Sequence, residues 1–310
     1  MDQPSRRRFL VTGLALAAGA VLPVRVSAAA GPSAEELEHQ AVTLACEAEV
    51  MGPAAALGAA HTALRQIDAA LAVAVREHQR QPLRRAAATT AMVCARASRW
   101  SGRDERGWLT FAETQATAAN DGPLMAQAWL ERATAEGEPA RIAECPSPAV
   151  VTLATAALHR AGSRREQAGV RSTARFKVTW ELAAHGDRRG ALMELEAAQI
   201  DAQLAGCSAC TIDSAVGGIL RRLGRITEAR QVLSGALDTP PVRRVCVLCD
   251  LARVHAASGD VDGAAQELEE AFLLTRAHGV DGRVRHVLAA RSVLPAGRPA
   301  RELDDLLRDA

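Results

Sequence analysis

Apolar and polar positions recur along this chain with a helical period, broken at short intervals by glycine, proline and small polar residues. Three segments align on one pattern, Gly-x4-Ala-x3-Leu-x2-Ala. They are Gly186, Ala191, Leu195 and Ala198; Gly224, Ala229, Leu233 and Ala236; and Gly259, Ala264, Leu268 and Ala271. The copies are offset by 38 and then 35 residues. Glycine closes one helix by adopting the left-handed conformation that a Cβ disfavours. The Ala, Leu and Ala that follow stand at i, i+4 and i+7, on one face of the next helix. The pattern predicts helical hairpins whose small alanines let paired helices touch.

The same rhythm, in degraded form, runs through the front half. Segments 86–100, 107–119, 124–136 and 149–160 read as helices. The turns between them are Ser101-Gly102-Arg103-Asp104 and Asn120-Asp121-Gly122-Pro123, and Ala161-Gly162-Ser163-Arg164 leads on to the clean repeats. Residues 35–74 are expected to be helical with an interruption at Gly52-Pro53, and 138–148 to be the longest break. The clearest repeats cover 172–276, the degenerate ones 86–171, and 298–310 reads as a polar helical cap.

Composition agrees with an all-α fold. Hydrophobic residues make up 48% and aromatic ones 3%, with no Tyr and only four Phe and four Trp. Abundant Ala, Leu, Arg and Glu favour helix, whereas β-rich chains lean on aromatic and β-branched residues. The net charge is +1. Setting aside the four arginines and one aspartate of the first thirty residues leaves −2 for the remainder. A near-neutral body lacks the basic stripe that displaces counterions from nucleic acid, so no nucleic-acid partner is expected.

The repeats resemble the tetratricopeptide repeat, whose second helix opens on a small residue and carries a large apolar one four positions on. Gly217 stands at the small position of the first helix in the second copy, with Pro241 near its end. The third copy runs Leu248, Leu251, Ala252, His255, Gly259, Ala264, Leu268, Ala271. The family's Trp and Tyr positions are filled here by Arg175 and Leu182, Asp213 and Leu220, and Leu248 and His255. The resemblance implies a right-handed superhelical solenoid of about five to seven hairpins over 31–310, with the first helices lining a concave surface. Residues 86–275 also resemble the sensor half of actinobacterial transcription regulators.

Residues 1–30 have the layout of an export signal: Arg6, Arg7 and Arg8, a 13-residue apolar run from Leu10 to Leu22, then the small residues Ser27 to Ala30. That run is shorter than the roughly 20 residues a spanning helix needs. Ser5-Arg6-Arg7-Arg8-Phe9-Leu10 resembles the twin-arginine signal, with Val11 where that signal often has Lys. The signal residues are therefore Arg6, Arg7, Phe9 and Leu10. The resemblance implies passage across the membrane of an already folded chain, to the periplasm or beyond, with only transient membrane contact. The alternative is a cytoplasmic, ligand-sensing relic of a regulator lacking its DNA-binding domain.

The cysteines supply the sharpest candidate chemistry. Cys207-Ser208-Ala209-Cys210 and Cys246-Val247-Leu248-Cys249 could offer four thiolates to a tetrahedral zinc. However, 35 residues separate the pairs, and Cys at helical spacing also serves as a small core residue. The expectation is packing, with no metal and no cofactor. Hydrolase, dinucleotide and phosphate-loop motifs are missing, and Asp260-Val261-Asp262-Gly263 reads as a helix-opening turn. The chain is expected to be a non-enzymatic scaffold for a peptide or protein partner, a small molecule being the other ligand class. Its expected binding residues are Arg175, Trp180, Asp213, Arg221 and Arg222.

Overall fold

Residues 32–308 are described by a computed structural model; Arg6, Arg7, Phe9 and Leu10 lie outside the described residues. Every regular element among the described residues is helical. In order they are α1 (Ala34–Met51), α2 (Pro53–Val73), α3 (Glu77–Trp100), α4 (Arg106–Ala118), α5 (Gly122–Ile142), α6 (Pro148–Ala161) and α7 (Ala168–Ala184). They continue with α8 (Arg188–Leu204), α9 (Ala209–Arg222), α10 (Ile226–Gly235), α11 (Pro241–Ala257), α12 (Val261–Ala277), α13 (Val284–Arg291) and α14 (Arg298–Arg308). Single 3-10 turns at Arg165–Gln167 and Asp281–Arg283 precede α7 and α13. None of these helices is long and apolar enough to cross a membrane.

Local sequence explains the boundaries. Asp121, Asp187 and Asp260 cap α5, α8 and α12 by accepting hydrogen bonds from the backbone N–H of Leu124, Gly190 and Gly263. Proline opens α2, α6 and α11 in the first turn, where its missing N–H costs nothing. Gly186, Gly224 and Gly259 end α7, α9 and α11 with φ of 80°, 75° and 81°. The Ala, Leu and Ala that follow each of them are all buried. Asp260 therefore opens a helix, as its tetrapeptide suggested, and His255 Nδ1 lies 2.6 Å from its carboxylate, tying the end of α11 to the start of α12.

One boundary departs from expectation. The break anticipated at 138–148 is only a five-residue connection, because α5 runs through Gly137 and Pro139 to Ile142. Proline removes one ladder hydrogen bond from a helix interior. Here the lost bond falls near the helix end, where packing against α6 holds the backbone: Val150 lies so close to Gly137 that a Cβ there would meet it at 2.4 Å.

Packing joins consecutive helices, α7 on α8, α9 on α10 and α11 on α12 among them. The odd-numbered helices also touch one another in series, α3 on α5, α5 on α7, α7 on α9, α9 on α11 and α11 on α13. Contacts between remote segments then add to this neighbour stack. Helix α11 packs on α1, α13 on α5, and the Asp281–Arg283 turn on α3. Arg243 donates to the Glu49 carboxylate at 2.9 Å across the α11–α1 contact. A purely one-dimensional stack has only nearest-neighbour interfaces; this unit has more.

Candidate functional site

Between α5, α7 and α9 lies a cavity of about 380 Å3, in the size range of small-molecule sites. Its apolar lining includes Val150, Phe176, Ile212, Ala215 and Ile219; its titratable lining includes Glu138, Arg141, Lys177, Glu181, Arg283 and His286. Thr134, Glu138 and Arg141 fall at i, i+4 and i+7 on α5, and Lys177, Trp180 and Glu181 at i, i+3 and i+4 on α7. These two spacings bring one stripe of each helix to the cavity.

At one side of the cavity Glu138, only 6% exposed, holds a buried cluster. Arg283 Nη1 donates to its Oε1 at 3.0 Å and His286 Nε2 lies 2.8 Å from the same oxygen. Arg99 stands 3.9 Å from the other oxygen. Burial alone would raise the Glu138 carboxyl. The hydrogen bond from His286 and the charges of Arg283 and Arg99 outweigh it and bring the pKa down to about 2. Burial lowers the His286 pKa to about 4, with the neighbouring guanidinium of Arg283 opposing the pull of Glu138. A neutral imidazole can donate to Glu138 only through an Nε2–H, and Arg283 Nη1 also lies 3.1 Å from this nitrogen.

A second cluster surrounds Asp250, 4% exposed, on α11. Arg221 Nε and Arg253 Nη1 lie 3.3 and 3.5 Å from its Oδ1. The same two arginines meet Glu144 Oε1 at 2.5 and 3.3 Å. Glu144 has φ of 56°, a left-handed backbone that a non-glycine residue rarely takes. Both guanidinium groups are ion-paired, although Nε of each is buried without a hydrogen-bond partner.

Three other cations are not so held. Arg141 and Arg222 stack on Trp180, their Cζ atoms 4.9 and 4.4 Å from a ring centroid, as cation–π pairs do. Among the described residues neither forms an ion pair with a carboxylate, and Arg222 keeps Nε and Nη2 buried without a hydrogen-bond partner there. Lys177, the only lysine of the chain, donates to Thr134 Oγ1 at 2.6 Å and has no carboxylate in contact among the described residues. Burial pulls its pKa down to about 8. Opposite these cations, Glu181 accepts the Ser147 N–H at 2.5 Å, and burial raises its carboxyl.

The five binding residues expected from sequence are therefore placed in different surroundings. Trp180 lines the cavity, Arg222 stacks on it, and Arg221 belongs to the adjoining Asp250 cluster. Arg175 instead faces α8, with Nη1 2.7 Å from Glu194 and Nε 3.2 Å from Asp201, and does not line the cavity. Asp213 is half-buried on α9 and also lies outside the lining. Glu138, Arg141, Lys177, Arg283 and His286 were not anticipated. Only Lys177 carried a signal, as a lone lysine in a chain that otherwise uses arginine.

The cysteine pairs do not assemble. Cys207 is exposed and lines the cavity, Cys210 and Cys246 are half-buried, and Cys249 is buried in α11, where burial pushes its thiol pKa up. Among the described residues no group of three or more His, Cys, Asp or Glu side chains is arranged to hold a metal ion. No protein-family model matches this chain, and no curated protein matches it.

Proposed function

We propose that this chain is a non-enzymatic receptor, a tetratricopeptide-like right-handed superhelix of helical hairpins that takes a ligand into the cavity between α5, α7 and α9. The observation that supports this reading is the pairing of a partly apolar cavity of about 380 Å3 with cations that have no carboxylate in contact among the described residues. Preformed clefts that combine apolar walls with a few convergent polar groups are the usual form of a binding site. In this reading residues 1–30 are a twin-arginine signal and the folded receptor acts after export.

Calorimetry with short peptides and a metabolite panel tests the reading. A ligand should bind the intact chain with one-to-one stoichiometry, and Ala215→Trp, which fills the cavity, should abolish binding while leaving the helical circular dichroism intact. Binding unaltered by that substitution would place the ligand elsewhere. Arg6→Lys with Arg7→Lys should strand the protein in the cytoplasm; unchanged distribution would remove the export claim.

The regulator-like alternative, a cytoplasmic ligand sensor, draws support from Glu138. This cavity residue is also the anchor for Arg283 and His286, so a ligand beside it touches the contact that joins α5 to the C-terminal helices. Hydrogen exchange distinguishes a sensor by protection that spreads to α13 on ligand binding.

A further inference from the structure

We propose that the ligand of this cavity is a small amphipathic organic acid, its carboxylate taken by Lys177 and Arg141 and its apolar body laid against Phe176, Ile212 and Ile219. The inference rests on the receptor reading above and narrows it to one chemical class. Its basis is the balance of charges that are already committed. Arg283 is bound to Glu138, Arg243 to Glu49, and Arg221 and Arg253 to Asp250 and Glu144. Among the cavity-lining cations this leaves Arg141 and Lys177. Of the lining carboxylates only Glu181 is outside an ion pair, and the Ser147 N–H engages it.

The geometry on α5 and α7 brings these two cations to a common wall. Lys177 Nζ reaches Thr134 Oγ1 at 2.6 Å, and Arg141, two turns further along the same stripe of α5, stacks on Trp180 one turn beyond Lys177. The half-buried ammonium spends one donor on Thr134 and retains two more. A guanidinium over an indole keeps its in-plane N–H groups free for a carboxylate. A charge-assisted hydrogen bond in such a partly desolvated site is stronger than a neutral one. A partly desolvated cation without a carboxylate partner is costly, and an incoming anion removes that cost. A neutral or cationic ligand of the same shape would not. Beside the apolar wall of Val150, Phe176, Ile212, Ala215 and Ile219, the other charged lining groups Glu138, Arg243 and Arg283 are matched within the protein, which suits one carboxylate on a hydrocarbon body and not a polyanion such as a nucleotide.

Isothermal titration with decanoate, decanol and decylamine provides the test. Decanoate should bind one per chain, at least tenfold more tightly than decanol, with decylamine weaker still. Lys177→Gln and Arg141→Gln should each lower decanoate affinity at least tenfold and leave decanol binding unchanged. Both variants should keep the wild-type circular dichroism, since neither residue holds a protein carboxylate. Equal binding of decanoate and decanol, or unchanged decanoate affinity in either variant, would overturn the inference. If decanoate fails while a peptide binds in a way that Ala215→Trp abolishes, the organic-acid inference falls and the receptor reading stands. If nothing binds, both fall.

Discussion

Glu138 Oε1 and His286 Nε2 lie 2.8 Å apart although 148 residues separate them in sequence. The contact fastens α13 to α5, and Arg283 joins it from the preceding turn. Both groups have folded-state pKa values below their ordinary ones, about 2 for Glu138 and about 4 for His286. The unfolded chain therefore binds protons more readily at both sites as the pH falls. The stabilisation from His286 is complete above about 6.5 and is lost toward 4; that from Glu138 is complete above about 4.5 and is lost toward 2. Urea unfolding followed from pH 7 to 3 should show stability falling throughout. The Glu138 share is on the order of 3 kcal/mol. Glu138→Gln should flatten the lower part of this profile; an unaltered profile would show that the pair does not govern acid stability.

Lys177 acts in the same direction, in a higher pH window. Its folded pKa of about 8 lies below the ordinary lysine value, so the ligand-free protein should gain stability as pH rises from 8 to about 10.5. Its charged neighbours are Glu131, Arg99, Arg141 and Glu181. Lys177→Gln should raise stability at pH 7 by about 2 kcal/mol and erase the gain specific to that residue. Denaturant titrations of both proteins at pH 7 and 9.5 decide it. A variant less stable than wild type would mean that the ammonium is stabilised by its surroundings.

Gly282 sits where α3 meets the turn before α13. A Cβ there would stand 2.0 Å from the Arg99 carbonyl oxygen and 2.9 Å from the Gly102 nitrogen. These are backbone atoms, which cannot swing aside. Gly282→Ala should cost at least about 2 kcal/mol in equilibrium unfolding. Gly235, in α10, has no atom near the corresponding position, and Gly235→Ala should be neutral or stabilising by up to about 1 kcal/mol. Similar values for the two would remove the argument from close approach.

The repeat leucines should be unequal to their exposed counterparts. Leu268 is fully buried whereas Leu273, on the same helix, is 51% exposed. Leu268→Ala should lose about 2–5 kcal/mol and Leu273→Ala no more than about 0.5 kcal/mol. Thermal unfolding of both variants checks this, and a small loss at Leu268 would show that the third hairpin is not cooperative with the rest.

Hairpin turns and the apolar faces beside them could be read from local sequence. Gly186, Gly224 and Gly259, with the Ala and Leu positions they introduce, depend only on a backbone sign and a helical period. The capping role of Asp260 and the interruption at Gly52-Pro53 are local in the same way. The cavity was less legible because its members are placed by distant contacts. Gly137 and Pro139 have the composition of a break, yet packing against Val150 keeps α5 helical, and this carries Glu138 and Arg141 into the site. His286 and Arg283 reach it only because the last helices return to α5, a contact with no periodic trace. Arg175 has the same residue type and repeat position as a groove residue, but two carboxylates of α8 draw it away.

The meeting of Arg243 with Glu49, and of α13 with α5, has a consequence for how this architecture changes length. Open arrays tolerate an inserted or deleted hairpin, since each new unit simply displaces the terminus. Here an extra hairpin between α5 and α11 would slide the late helices past their early partners, and a missing one would leave a gap that no neighbour spans. A hairpin added or removed between Glu49 and Arg243 would therefore break these contacts, whereas one added at either edge of the unit would leave them in place.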